Sequence, residues 1–260
     1  MKLTVLCENV AGGRLQAEHG LSYLIEYKGE TLLFDTGHSD LFIKNAKVLG
    51  IDVQQKVKTI VLSHGHWDHG NGLTHLTNKT LIAHPSATIK RYRKTDNSYI
   101  GLSLSKSDLQ QRFSYIESKK AYFIQPHILF LGEIPRLNNF EAQHTTFKDE
   151  NGSDDFVLDD SALVIIKNNA LIILVGCSHA GVCNIIDYAK QITSIDKIEA
   201  VIGGFHLKKK DYQSQKTIEY FCKINVNKIH PTHCTELPAL SLFYEIFGIR
   251  QLKTGDVLEL

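Results

Sequence analysis

Short apolar runs recur along this chain, and most of them end in the same manner. TLLF (31–34) leads into Asp35-Thr36-Gly37, and TIVL (59–62) leads into Ser63-His64-Gly65-His66. ALIILV (170–175) leads into Gly176-Cys177-Ser178-His179, and AVI (200–202) into Gly203-Gly204-Phe205-His206. NKI (227–229) leads into His230-Pro231-Thr232-His233-Cys234. Runs this short, rich in Ile, Val and Leu and closed by Gly or polar residues, predict buried strands rather than helices. Other stretches carry the helical period. Val182, Ile185, Ile186, Ala189 and Ile192 recur every three to four positions and define one core-facing stripe. Ile218, Phe221, Cys222 and Ile224 define a second stripe, and LPALSLFYEIFG after Glu236 predicts a third helix. KLTVL and LSYLIEYKGETLLFD predict an antiparallel start turning at Lys28-Gly29. Strands first, then strand–helix alternation, predict a layered α/β protein with helices covering sheets. Residues 85–135 break the rhythm: HPSATIKRYRKTDNSYIG is polar and basic, and SKSDLQQRF predicts a short helix. This stretch is expected to be an insertion or lid within a single domain spanning 1–260.

Composition changes the picture only modestly. The 260 residues are 43% hydrophobic and 22% charged, enough apolar surface for one large domain. A net charge of +1 gives no global attraction to nucleic acid or membrane. No run approaches the roughly 18 apolar residues of a membrane-spanning helix, and MKLTVLCENV lacks the pattern of a secretory signal. Five cysteines without a CxxC pair argue against a disulfide framework, so a reducing, cytoplasmic setting is expected. The unusual count is thirteen histidines.

Their placement carries the chemistry. In TIVLSHGHWDHGNG a strand-like run is followed by three histidines and an aspartate within six positions. Such groups are costly to bury, but parallel strands present their C-terminal ends at one edge, where polar residues converge on a cleft. Only Gly65 separates His64 from His66, so one extended turn can aim both imidazoles at one ion. Asp68 and His69 follow and can serve a second. Imidazole suits zinc, iron, nickel and copper, and two ions roughly 3.5–4 Å apart would form a hydrolytic clamp.

HGHWDH resembles the HxHxDH signature of the metallo-β-lactamase-fold superfamily, and LLFDTG resembles its strand–turn aspartate motif. The chain is also similar to a subfamily described as dihydropterin ribofuranosylaminobenzene phosphate synthase-like. The matching stretches are AEHGLS (17–22), GEIPRLNNFE (132–141), VLDDSAL (157–163), GCSHAGVCNI (176–185), GGFHL (203–207) and PTHCTE (231–236). The resemblance implies a four-layer αβ/βα sandwich with a dinuclear metal site along one edge of paired sheets. It implies His64, His66, Asp68, His69 and His233 as metal ligands. Where most members supply a further His and a bridging Asp, this chain has VLDDSAL and ILVGCSH. His179 is the expected substitute ligand, and Cys177 is either a ligand or a small packing residue. Asp35 is expected to orient a ligand histidine rather than bind metal. Zinc is the expected ion, two per chain or one, with manganese and iron as alternatives.

His206 follows two glycines at a strand end, where it is expected to contact substrate or move a proton; with Asp68 it forms the expected catalytic pair. His19 divides between this site and a structural role. GCSHAG is not a nucleophile elbow, so covalent catalysis through Ser178 or Cys177 is not expected. Lys208, Lys209 and Lys210 could anchor a substrate phosphate or carboxylate. The expected activity is metal-dependent hydrolysis of a small, anionic ester or phosphoester by a metal-bound hydroxide, without nucleic-acid or membrane partners. The alternatives are a synthase-like transferase of pterin cofactor biosynthesis and a metal-containing binding or sensing protein.

Overall fold

The computed structural model describes residues 1–260. The chain forms two compact units: Met1–Ser118 with Thr146–Asp155 and Leu252–Leu260, and Lys119–Thr145 with Phe156–Gln251.

The first unit is built on seven strands, in the order Val257–Glu259, Lys2–Cys7, Ser22–Tyr27, Glu30–Phe34, Thr59–Val61, Thr80–Ala83 and Ser114–Glu117. The expected antiparallel start is present, with Tyr23 opposite Phe34 and Tyr27 opposite Glu30. Lys28 (φ 49°) and Gly29 (φ 83°) both take positive φ, as a tight type I′ hairpin turn requires. From Glu30–Phe34 onward the pairing is parallel. Parallel strands run in the same direction, so Asp35, Ser63 and His84 follow three of them at the same end. The core joins Leu6, Leu24, Leu33, Ile60, Leu62 and Leu81 to Phe42 on the helix Leu41–Val48. Each such buried side chain contributes roughly 1.5–3 kcal/mol, which fixes the strand whose continuation carries the histidines.

The second unit has six strands, in the order Lys228–Thr232, Ile198–Gly204, Ala170–Val175, Ala162–Lys167, Ile128–Phe130 and Tyr122–Gln125. The first three are parallel and the rest antiparallel. All three expected helices form: Val182–Thr193, Tyr212–Ile224 and Leu237–Phe247. The stripe Val182, Ile185, Ile186 and Ala189 is buried in a core with Phe205, Phe221 and Phe243. The Val182–Thr193 helix has no cap from Gly181; instead the Glu141 carboxylate accepts the N–H groups of Cys183 and Asn184, both at 2.9 Å. A carboxylate at that end satisfies orphan donors and opposes the helix dipole.

Residues 85–135 contain the expected short helix, Lys106–Arg112, closed by a Ser105–Asp108 capping box. Within that stretch Ser114–Glu117 forms an edge of the first sheet, while Tyr122–Gln125 and Ile128–Phe130 complete the second. No helix is long and apolar enough to cross a membrane.

Candidate metal centre

In the first unit the chain leaves Thr59–Val61 through Leu62 and Ser63, then carries His64 and His66 on an extended segment before one helical turn, Trp67–Gly70. That turn takes in Asp68 and His69, and a 3-10 turn, Asn71–His75, follows. Gly65 is required by space. A Cβ there would lie 1.7 Å from the carbonyl oxygen of Ala87, so no larger residue fits between the two histidines.

Asp35 organises this cluster from below. Its backbone is left-handed (φ 57°) and its side chain is fully buried. It accepts the Ser63 N–H at 2.7 Å and the Ser63 Oγ–H at 2.7 Å, and its Oδ2 lies 2.7 Å from Nδ1 of His69. With its proton committed to Asp35, Ser63 Oγ can only accept from Nδ1 of His64, 2.9 Å away. Each ring is thereby held through Nδ1, which turns Nε2 toward the other donors of the cluster. Nε2 of His64 lies 3.0 Å from Nδ1 of His66, and Nε2 of His69 lies 3.7 Å from Oδ2 of Asp68. Burial, reinforced by the neighbouring His69 and His66 rings, holds His64 well below the ordinary histidine range and therefore neutral. Neutral imidazole is the form that binds metal. His19 is half exposed, with Nε2 3.2 Å from Asp68 Oδ2 and its ring 5.4 Å from Trp67, so it stands at this cluster. His84, in contrast, caps a short turn by accepting the Ser86 N–H.

The second unit repeats one device at three strand ends. Ser178 (φ 51°), His206 (φ 52°) and His233 (φ 53°) follow the three parallel strands, and all take the left-handed backbone. Such conformations cost side-chain-bearing residues about 1–2 kcal/mol each and cluster at functional sites. They are locked by backbone ties: Ser178 Oγ donates to the Gly204 carbonyl at 2.7 Å, and Phe205 N–H donates to Thr235 Oγ at 2.9 Å. The His179 and His206 rings lie 4.4 Å apart between centroids.

Two cysteines join them. Ligand atoms of Cys177, His206 and Cys234 all lie within 4.8 Å of one another. Burial pushes the Cys234 thiol up, but Cys177 and the His206 and His233 imidazoles outweigh it, leaving the thiol well below its ordinary value. Asp159 and Asp160 of VLDDSAL are buried; Asp160 accepts the Ala180 N–H at 2.8 Å, and burial raises it to about 7. Cys234 escaped the sequence reading, since nothing in PTHCTE signals that its sulfur faces the GCSH turn 57 residues away.

The metallo-beta-lactamase superfamily model matches residues 15–162, and the chain belongs to that superfamily. Two Methanocaldococcus jannaschii proteins are similar over nearly their whole length. One, the 7,8-dihydropterin-6-methyl-4-(beta-D-ribofuranosyl)-aminobenzene-5'-phosphate synthase, is 32% identical, covering 100% of this chain and 96% of its own. The other, MJ0448, is 34% identical, covering 98% and 99%. The crystal structure of Tm1679, a metal-dependent hydrolase of the beta-lactamase superfamily, superposes with a TM-score of 0.89. It is 30% identical, and the match covers 100% of this chain and 99% of that one. The fold is therefore the metallo-β-lactamase fold.

Proposed function

We propose that this protein is a metal-dependent hydrolase of small esters or phosphoesters. The observation that carries the reading is the Asp35–Ser63–His64 and Asp35–His69 network, because it holds both imidazoles through Nδ1 and turns their Nε2 atoms toward His66 and Asp68. That is a ligand set prepared for a borderline ion such as zinc. His66 and Asp68 complete the donors of the first unit; in the second, His233 answers the superfamily pattern and His179 is the substitute for a histidine that the pattern has and this chain lacks. Bound zinc supplies Lewis-acid polarisation and water activated near neutral pH. The chain's own residues do the rest. Asp35 and Ser63 fix ring orientation, Asp68 adds a carboxylate at the centre, and His19 can exchange a proton with Asp68 across 3.2 Å. Lys208 and Lys209 are exposed and lie two and three positions after His206, which favours an anionic substrate.

A transferase reading has its own support in the 32% identity with the dihydropterin synthase across the whole chain. Hydrolysis of an ester and phosphoester panel, with and without chelator, separates the two. Chelator-sensitive hydrolysis supports the hydrolase. A chain that hydrolyses nothing in the panel but joins a 7,8-dihydropterin bearing a leaving group on its 6-methyl to a ribofuranosylaminobenzene 5'-phosphate, releasing that group, is the transferase.

A further inference from the structure

The basic stretch KRYRK (90–94) belongs to the first unit. Its strand Arg91–Arg93 pairs antiparallel with Phe147–Asp149, placing Arg93 opposite Phe147 and Arg91 opposite Asp149. Partners directly opposite share a face, as do residues two apart along a strand. Arg91, Arg93, Phe147 and Asp149 therefore face one way, and Tyr92 and Lys148 the other. The first face is turned to the histidine cluster, because the Phe147 ring stands edge-on to His66 with 5.0 Å between centroids.

The cations of this stretch divide by partner. Arg91 is fully buried, with Nε 3.0 Å from Oδ2 of Asp155 and Nη2 donating to the Ser86 carbonyl at 3.3 Å. Removing one member of a buried pair strands the other charge, so Arg91 anchors the ribbon and is closed to a ligand. Lys90 stands 3.2 Å from Glu150, and Lys94 stands 2.7 Å from Asp154. Arg93 is exposed, and its guanidinium makes no hydrogen bond or ion pair. Its backbone N–H donates to Ser98, and that of Lys94 donates to Thr146, both at 2.9 Å. Arg93 and Phe147 thus form a non-hydrogen-bonded pair, where facing side chains lie closest. The free guanidinium starts beside the ring that meets His66.

We propose that Phe147 and Arg93 select the substrate of this site. The ring packs an aromatic or apolar part next to the reacting group, and the guanidinium pairs with a second, non-reacting carboxylate or phosphate. The guanidinium fork fits either oxyanion. The inference rests on the reading of the histidine–aspartate cluster as the reaction centre, and it gives that reading a substrate class: aryl or apolar esters and phosphoesters that carry another anionic group.

Phosphonates, which do not hydrolyse, test this by calorimetry on the zinc-loaded protein. 4-Carboxyphenylphosphonate should bind more tightly than phenylphosphonate. That preference should fall about tenfold in Arg93→Ala, fall less in Arg93→Lys, and hold in Lys148→Ala on the opposite face. 1,4-Phenylenediphosphonate, run beside them, tells a phosphate from a carboxylate as the second anion, and a fall with either supports the inference. Phe147→Ala should narrow the gap between phenylphosphonate and methylphosphonate. Arg93 is exposed, so its variants keep the fold. An unchanged preference in Arg93→Ala, an equal fall in Lys148→Ala, an unchanged gap in Phe147→Ala, or no binding of any probe overturns the inference. Hydrolysis of the ester and phosphoester panel is scored separately. A preference that depends on Arg93 without any turnover counts against the hydrolase and leaves the inference standing.

Discussion

Oδ2 of Asp35 lies 2.7 Å from Nδ1 of His69, and both side chains are fully buried. The same carboxylate holds Ser63, which holds His64, so one residue sets two tautomers. Asp35→Asn tests this. Its amide oxygen can still accept one donor, but its NH2 would meet a second donor head-on. Metal affinity should fall about 10–100-fold, as when other outer partners of ligand histidines are lost. Competition against a chromophoric chelator measures it, and unchanged affinity would remove Asp35 from the account.

Gly65 makes a second, steric test. Gly65→Ala drives a methyl carbon into the Ala87 carbonyl, at 1.7 Å before relaxation. The segment between His64 and His66 must shift, so both metal content and melting temperature should drop. A variant with normal stability and a full metal complement would mean that the turn tolerates displacement.

His179 and Ser178 are adjacent but should behave differently. Ser178 Oγ ties its turn to the Gly204 carbonyl, so Ser178→Ala should cost about 1 kcal/mol while keeping metal and activity. His179→Ala should lose metal and turnover. Elemental analysis with a melting curve separates them, and a metal-replete, active His179→Ala would move the ligand assignment to Asp159, Asp160 or Cys177.

Asp160 gives a pH prediction whose sign follows from burial. Its carboxyl is raised from an ordinary 3.8 to about 7, so between those values the folded state holds a proton that the unfolded chain has released. The stability it contributes is full below about pH 4 and falls as pH rises to about 7, then levels off. Asp160→Asn keeps an oxygen for the Ala180 N–H and cannot ionise. The melting-temperature difference, variant minus unaltered, should grow from pH 4 to 7 in metal-free protein and stay flat above. A difference that does not change with pH would show that Asp160 titrates normally.

What could be read from the sequence follows from what is local. The hairpin at Lys28-Gly29, the strands ending at Phe34, Val61 and Val175, and the Val182–Thr193 helix all announce themselves by period and turn residues. HGHWDH was legible because its four donors share one short segment. Capping by Glu141 was not, because the carboxylate reaches Cys183 across 42 positions. Cys234 escaped for the same reason: its partner lies 57 residues away after another strand, and no spacing within PTHCTE encodes it. The strand–turn residues Ser178, His206 and His233 were visible as strand-end polar groups, but their shared left-handed backbone was not.

The central claim is that the HGHWDH segment holds a metal on which turnover depends. Elemental analysis beside hydrolysis assays on the unaltered protein, His66→Ala and Asp68→Ala tests it most directly. The account predicts about one to two equivalents of a transition metal, chiefly zinc, in the unaltered protein. It also predicts that each variant loses metal together with turnover. Full metal and full activity in both variants would contradict it.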